Sequence, residues 1–576
     1  MKAFVIDYLT IVSLPYHTMW LSVLRHEVAH PRTSVQLCLL GIVGGVLAAS
    51  LIIVFRLCVE WLQQYGFGTL RAWFNDEWPV WFLMPLISVL LILTIAYITG
   101  FKHYRMGIPF VIHRVKHFYG FVPFRTTINQ FFGGMLALAG GFVVGREGPS
   151  VHLGAASSSF LGQWMRLPYN SIRILAGCGI AAGISASFNT PFAAVIFVME
   201  VVLREYKIHI FVPVMLAAAC GSVMTRLVFG EINELSFLSF AAFSEWMYAY
   251  LIVLGIVLGM LATLFNNQLM RVMKLFRPVS MIWRLILAAI ITGGVGMLLP
   301  DALGANFIDV ETLFERDPGT LLLLGVLAAK VVLAVFAIGL GVPGGIMGPV
   351  MVIGMLAGAV LLIPLSTFLN VDDYTSSFAL LGVAGMLTAV LHAPLAALSA
   401  VMELSYSPQI ILPAMLVIVP AYVTSTQFLG NRSIFIRQLD YQNLPYAITS
   451  IRESLEKTGV LAAMEKDFKL FHDAPDKAIE NYLSKSPTAL VVQQSRFELD
   501  VQFKQVQFDV SLEHGATPLS YHQMEGLHSQ STLHEVYEKL KNARAGAVYI
   551  YDGAPDQIIG VITWNVLQSF LQRAQY

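Results

Sequence analysis

Charge is scarce in this chain. Asp, Glu, Lys and Arg make up 12% of its 576 residues and balance to a net charge of +0, where a soluble domain carries about 25%. The scarcity excludes an ordinary soluble globule, and the balance argues against a nucleic-acid partner, which a basic surface would announce. Cysteine is also rare. Cys38, Cys58, Cys178 and Cys220 all lie in apolar segments. Their spacing fits neither a disulfide framework nor a metal site, so they read as buried structural thiols. No metal or cofactor is expected. A secretory leader does not stand out either: MKAFVIDYLTIVSLPYH carries Asp7 in its apolar part and has no small-residue cleavage site. Residues 1–33 are expected to form an amphipathic, cytoplasmic lead-in helix.

What the chain has in abundance is apolar surface, 56% hydrophobic residues and a mean hydropathy of +0.68. It reads as an all-α polytopic membrane protein whose partner is the lipid bilayer. Spans are expected near 34–59, 79–100, 131–144, 150–166, 172–187, 191–203, 208–230, 246–270, 281–299, 320–340, 346–365, 376–391, 394–404 and 408–429. Several fall short of the roughly 20 residues that cross a bilayer. Such broken helices are tolerated only against protein or a wet cavity, so a pathway through the protein is implied. Lys2, Arg25 and Arg32, and then Lys102, Arg105, Arg114, Lys116 and Arg125, place the N-terminus and the 101–126 loop inside. Arg432 and Arg437 follow the last span and place the C-terminus inside too.

The membrane part repeats itself. Segment 177–201 aligns with 380–404, pairing Gly179 with Gly382, Pro191 with Pro394 and Glu200 with Glu403. Gly145-Arg146-Glu147-Gly148-Pro149 has a counterpart in GVPGGIMGP (341–349), where Gly145, Gly148, Pro149 and Gly154 match Gly345, Gly348, Pro349 and Gly354. Homologous halves with glycine-interrupted segments in matching places point to a transporter whose site lies between them. Glu147 is the chemical focus. A carboxylate at membrane depth costs about 2.5–3.5 kcal/mol on insertion scales, and the Gly and Pro around it break the helix and free backbone N–H groups.

GREGP (145–149), GVPGGIMGP, MGIP (106–109) and FNTPFAAVIFVME (188–200) together resemble the CLC family of chloride channels and proton-coupled anion antiporters. The resemblance covers about 34–440, with repeats near 34–230 and 246–440. It implies a homodimer with one anion pore per subunit and inverted halves in each, with chloride as the anion. In such a site helix N-termini converge on the ion. Each carries about half a positive charge and unpaired donors, here expected from the backbones of Gly145, Arg146, Glu147 and Gly148 and of Gly345, Ile346 and Met347, with Met106, Gly107 and Phe435 alongside. Glu147 matches the gating glutamate, which blocks the path when ionised and swings out when protonated or displaced; a charge crossing the field couples by about 2.3 kcal/mol per 100 mV. The plain alternative for Glu147 is an ion pair with Arg146, itself read as structural.

Three positions depart from the family pattern. Met106 stands where a serine hydroxyl usually contacts the anion, and Phe435, aligned through QFLGNRSIF (427–435), stands where a tyrosine hydroxyl does. Met106 is a trait of the fluoride/proton branch, which makes fluoride/proton antiport the alternative function; simple gap-filling is its plain reading. Val201 follows Glu200 where coupled members carry an internal glutamate for protons, which favours passive conduction. Glu200 and Glu403 are expected to tie down helix ends, and Lys330 to be paired or snorkelling. A membrane-embedded enzyme would need clustered acids and bases, whereas His113, His152 and His392 stand singly.

From about 441 to 576 the chain becomes charged. Helix, strand, turn, strand and helix over Ser531–Gln572 resemble half of a CBS pair, with a weaker copy near 475–510. Val566 replaces the aspartate expected to hold a ribose, which argues against a nucleotide ligand and for a structural or dimer-stabilising role.

Overall fold

The computed structural model describes residues 19–74, 78–101, 106–230, 235, 237–238, 240–241, 243–316, 319–366, 374–446, 450–497, 500–508 and 519–573. Most of the expected lead-in segment, together with Lys102 and Arg105, lies outside them. The chain divides into two compact units. One comprises Cys38–Gln163 and Ile172–Ala447; the other comprises Met1–Leu37, Trp164–Ser171 and Ile448–Tyr576.

The first unit is helical. Among the described residues nine helices are long and apolar enough to cross a membrane, and Pro191–Leu203, Thr375–Leu391 and Pro394–Ser405 are apolar but shorter. The helices follow the apolar runs closely: Met281–Leu298 and Thr320–Leu340 coincide with expected spans. Pro191 and Pro394 occupy the first helical turn, where a missing N–H costs nothing. The span expected at 131–144 is displaced. Its helix is Phe124–Ala139, and Gly140–Arg146 then runs as turn and extended chain, because Gly141 adopts φ +81 and stops it. The 101–126 stretch is not simply a loop either: it contains the helix Gly107–His117, whose Lys116 is buried and donates to the Leu203 carbonyl at 2.5 Å.

The sequence repeat is a structural one, and the halves clasp each other through equivalent residues. Gly145 N–H donates to the Gly345 carbonyl at 2.9 Å, and Gly345 N–H returns the bond to Gly145 at 2.6 Å. Glu200 accepts from Leu395 N at 3.3 Å and Ala396 N at 2.7 Å. Glu403 accepts from Phe192 N at 2.9 Å and Ala193 N at 2.7 Å. Each carboxylate thus caps the orphan amides at the start of the other half's short helix. The helix pair Glu147–Trp164 and Tyr169–Phe188 meets at Gly154 and Gly179, and Met347–Leu362 meets Thr375–Leu391 at Gly354 and Gly382; a Cβ at Gly354 would lie 2.7 Å from the Gly382 carbonyl oxygen. Reciprocity of this kind is what a two-fold relation between the halves requires. Lys330, expected to be paired or snorkelling, does not snorkel: it is 1% exposed and donates to the carbonyls of Leu303 (3.2 Å) and Gly304 (3.1 Å).

The second unit holds two small sheets. In one, β1 (Lys469–His472), β2 (Val491–Phe497), β3 (Asp500–Phe508) and β4 (Leu519–Gln523) lie in that order, with β1 and β2 parallel across the helix Asp476–Leu483 and the rest antiparallel. In the other, β5 (Glu525–His528) runs parallel to β6 (Ala547–Tyr551) across the helix Leu533–Leu540, and β7 (Ile558–Thr563) returns antiparallel before the helix Trp564–Arg573. Both begin β-α-β-β, and the first carries β4 as a fourth strand, so the region of the weaker copy holds a sheet over Lys469–Gln523. The second follows from its sequence. Thr532 and Glu535 form a capping box, and Leu533, Val536 and Leu540 put one helix face into the core. Val566 packs against that core. In the same unit the carbonyls at the end of helix Met19–Ala29 are satisfied: Asn170 donates to Ala29 at 3.1 Å, Ser171 to Val28 at 2.6 Å, and Gly459 N to Ala29 at 3.0 Å.

Removing one reciprocal cap should be felt across both halves of the membrane unit. Glu403→Ala is expected to destabilise by about 0.5–2 kcal/mol, read as a lowered melting temperature of the detergent-solubilised protein. A melting temperature equal to that of the unsubstituted protein would show that the cap contributes nothing.

Candidate functional site

The Gly145–Gly345 pair fixes where the site lies. Because these two residues bond directly, the helices that start two residues later, at Glu147 and Met347, have their first turns side by side. Two glycines of the second loop are required by contact. A Cβ at Gly348 would lie 3.0 Å from Gly145 Cα, and one at Gly345 would lie 2.6 Å from Gly148 N and collide with the Glu147 carboxylate.

Glu147 is fully buried, and its carboxylate reaches across to the opposite half. Oε1 accepts from Met347 N, and from Gly348 N at 3.2 Å. Oε2 has no hydrogen-bond partner. A carboxylate at a helix N-terminus is held by two donors and by the helix dipole. It has the charge of an anion and takes the amides that an anion at this helix start would need. Arg146 does not supply the counter-charge by folding onto it in a tight ion pair; its guanidinium lies 4.5 Å from the centre of the Phe188 ring.

A cavity of about 580 Å³ approaches this point. Met106, Gly107, Gln130, Gly345, Ile346 and Phe435 line it where the motifs meet. Gly107 has φ +76, a conformation that opens the helix Gly107–His117 directly from extended Met106 and brings Gly107 near the Gly344 carbonyl. Arg277 and Arg284 also line the cavity, with no carboxylate in ion-pair distance among the described residues. Their charge raises the local concentration of anions.

The expected site residues therefore fall into three groups. Met106, Gly107, Gly345, Ile346 and Phe435 surround the cavity. Gly145, Glu147, Gly148 and Met347 surround the carboxylate. Arg146 and Val201 belong to neither. One expectation needs correction: the amides of Gly145 and Gly345, read as anion donors, bond each other, because the halves must be joined at this point. Val201 is 5% exposed in a π-helical turn, Val198–Leu203. The two acids beside it are committed. Glu200 caps the other half's helix. Glu205 pairs with Arg173 and lies 3.9 Å from Lys116. Phe435 is 2% exposed and meets Phe197 edge to face. The residue overlooked from sequence is Gln130, whose signal is a carboxamide pair, Asn129-Gln130, ahead of the apolar run Phe131–Ala139. Among the described residues no group of His, Cys, Asp and Glu could hold a metal ion.

The profile of the voltage gated chloride channel family matches residues 87–426. The chain is 29% identical over 435 residues to the H(+)/Cl(-) exchange transporter ClcA of Klebsiella pneumoniae (strain 342), covering 71% of this chain and 90% of that one. Its fold is similar to that of a eukaryotic CLC transporter, with a TM-score of 0.59 and 18% identity over 95% of this chain and 98% of the other. It is equally similar to a CLC-type fluoride/proton antiporter, with a TM-score of 0.59 and 24% identity over 70% of this chain and 98% of the other.

The geometry predicts competition. Glu147→Ala frees the amides of Met347 and Gly348, and calorimetric titration with a halide should then show tighter binding than in the unsubstituted protein. Equal affinity would mean that carboxylate and anion do not share these donors.

Proposed function

The chain belongs to the voltage gated chloride channel (CLC) family, and from that premise we propose that it carries chloride across the plasma membrane with Glu147 as its gate. The observation that carries the proposal is the Glu147 carboxylate on the amides of Met347 and Gly348. A group bound there by a helix terminus leaves when it is protonated or out-competed, and an anion takes its place. Weak, multi-point binding by neutral donors lets the anion leave again. The protein is a multi-pass integral membrane protein, read here as a homodimer with one pore per subunit and both termini cytoplasmic. On this reading it is a transporter, not an enzyme, and the CBS-like unit is structural, since Val566 packs in its core instead of offering a carboxylate to a ribose.

The mode of transport turns on protons. Among the described residues beside Val201 no free carboxylate is left to pass them from the inner side, which supports passive conduction. A second reading, proton-coupled exchange, is favoured by the named activity of the Klebsiella relative. Fluoride/proton exchange rests on Met106 alone.

Flux from liposomes separates these readings. Chloride efflux that needs no proton movement is the expected result; a fixed proton stoichiometry would replace conduction by exchange, and fluoride efflux far above chloride would overturn the chloride reading. Glu147→Gln should remove the pH dependence of flux. Met106→Ser supplies a hydroxyl and should lower the chloride KM; an unchanged KM would take Met106 out of the anion site.

A further inference from the structure

The cavity poses a chemical question. Its two expected hydroxyl positions are a thioether and a phenyl ring, and the amides of Gly145 and Gly345 are engaged with each other. An anion losing its water there still needs N–H or O–H donors, since a buried charge without partners costs several kcal/mol.

Gln130 is the side chain placed to provide one. It lines the cavity beside Met106, Gly107 and Gly345, is 0% exposed, and neither its Nε2 nor its Oε1 has a hydrogen-bond partner among the described residues. A buried carboxamide with both ends unsatisfied is uncommon, and each unmet group costs about 1–3 kcal/mol. Its position is fixed by its own helix. Gly133 and Gly134, three and four residues on, share its face. A Cβ at Gly133 would lie 3.0 Å from Pro343, and one at Gly134 would lie 2.6 Å from Pro149 and 3.6 Å from Gln130 Nε2. These prolines belong to the two motif loops that start the Met347 and Glu147 helices. The helix Phe124–Ala139 is therefore wedged against both loops by its glycines, and it presents Gln130 to the cavity at their junction.

We infer that Gln130 is an anion-binding and specificity-determining residue, whose carboxamide N–H contacts chloride in the cavity in place of the missing hydroxyls. The inference rests on the proposed chloride transport by this same site. A neutral donor suits a conducting site because it compensates part of the lost hydration without a fixed positive charge that would trap the ion.

The test uses the full chain in liposomes, with initial chloride flux measured against chloride concentration. Gln130→Met keeps length and volume but removes the donor, and should raise the chloride KM about tenfold, the worth of one hydrogen bond to a charged group. Gln130→Lys keeps a donor and adds charge, and should return the KM to the unsubstituted value or below. An unchanged KM in Gln130→Met, or the same rise in both variants, would overturn the assignment. If Gln130→Met does not assemble, Gln130→Lys decides alone: a KM at or below that of the unsubstituted protein supports the contact and a raised KM overturns it. Failure of the chloride reading itself is separate, since the unsubstituted protein would then carry no chloride.

Discussion

Two backbone hydrogen bonds between Gly145 and Gly345 are the constraint on which the rest of the site depends. They use no side chain and tolerate none. By joining equivalent points of the two halves, they bring two helix N-termini together without any charged residue as an anchor. The consequence is electrostatic: the peptide dipoles of the two helix starts make a positive focus in an apolar protein. The same bonds engage two of the amides at this point, and those of the next residues along, Met347 and Gly348, meet the Glu147 carboxylate.

This explains why a carboxylate is stable where burial should penalise it. Glu147 is held by the opposite half and not by a neighbouring cation, because Arg146 is turned onto Phe188. A carboxylate fixed by neutral donors is released by modest competition. The other frame is built differently. Glu200 and Glu403 are reciprocal, and each caps a helix start in the opposite half. These three acids thus divide between one set at the joined helix starts of the glycine motifs and two that cap the short helices of the scaffold.

Most of the architecture is legible in the sequence because helix ends in the membrane unit follow hydropathy and proline placement, as at Thr320–Leu340 and Pro394–Ser405. The misplacements share a physical cause. Asn129 and Gln130 make the start of helix Phe124–Ala139 look extramembrane, yet Asn129 bonds Thr99 at 2.8 Å and Gln130 is buried. Arg114 and Lys116 disguise the helix Gly107–His117, yet they bond the carbonyls of Phe121 and Leu203. Polarity in sequence signals exposure only when no partner is available inside. At the site, the repeat reveals which loops meet. Which amides face each other is not legible, because a backbone N–H carries no residue-type signature.

The reciprocal caps also bear on how the chain is made. Glu200 and its donor partners at Leu395 and Ala396 are 195 and 196 residues apart. Synthesis proceeds at about 5–20 residues per second, so roughly 10–40 s separate their appearance at the ribosome. Throughout that interval the Glu200 carboxylate and the amides of Phe192 and Ala193 lack the partners that they have in the folded chain. The nascent half is complete in sequence but not in hydrogen bonding, and only arrival of the second half closes both deficits at once.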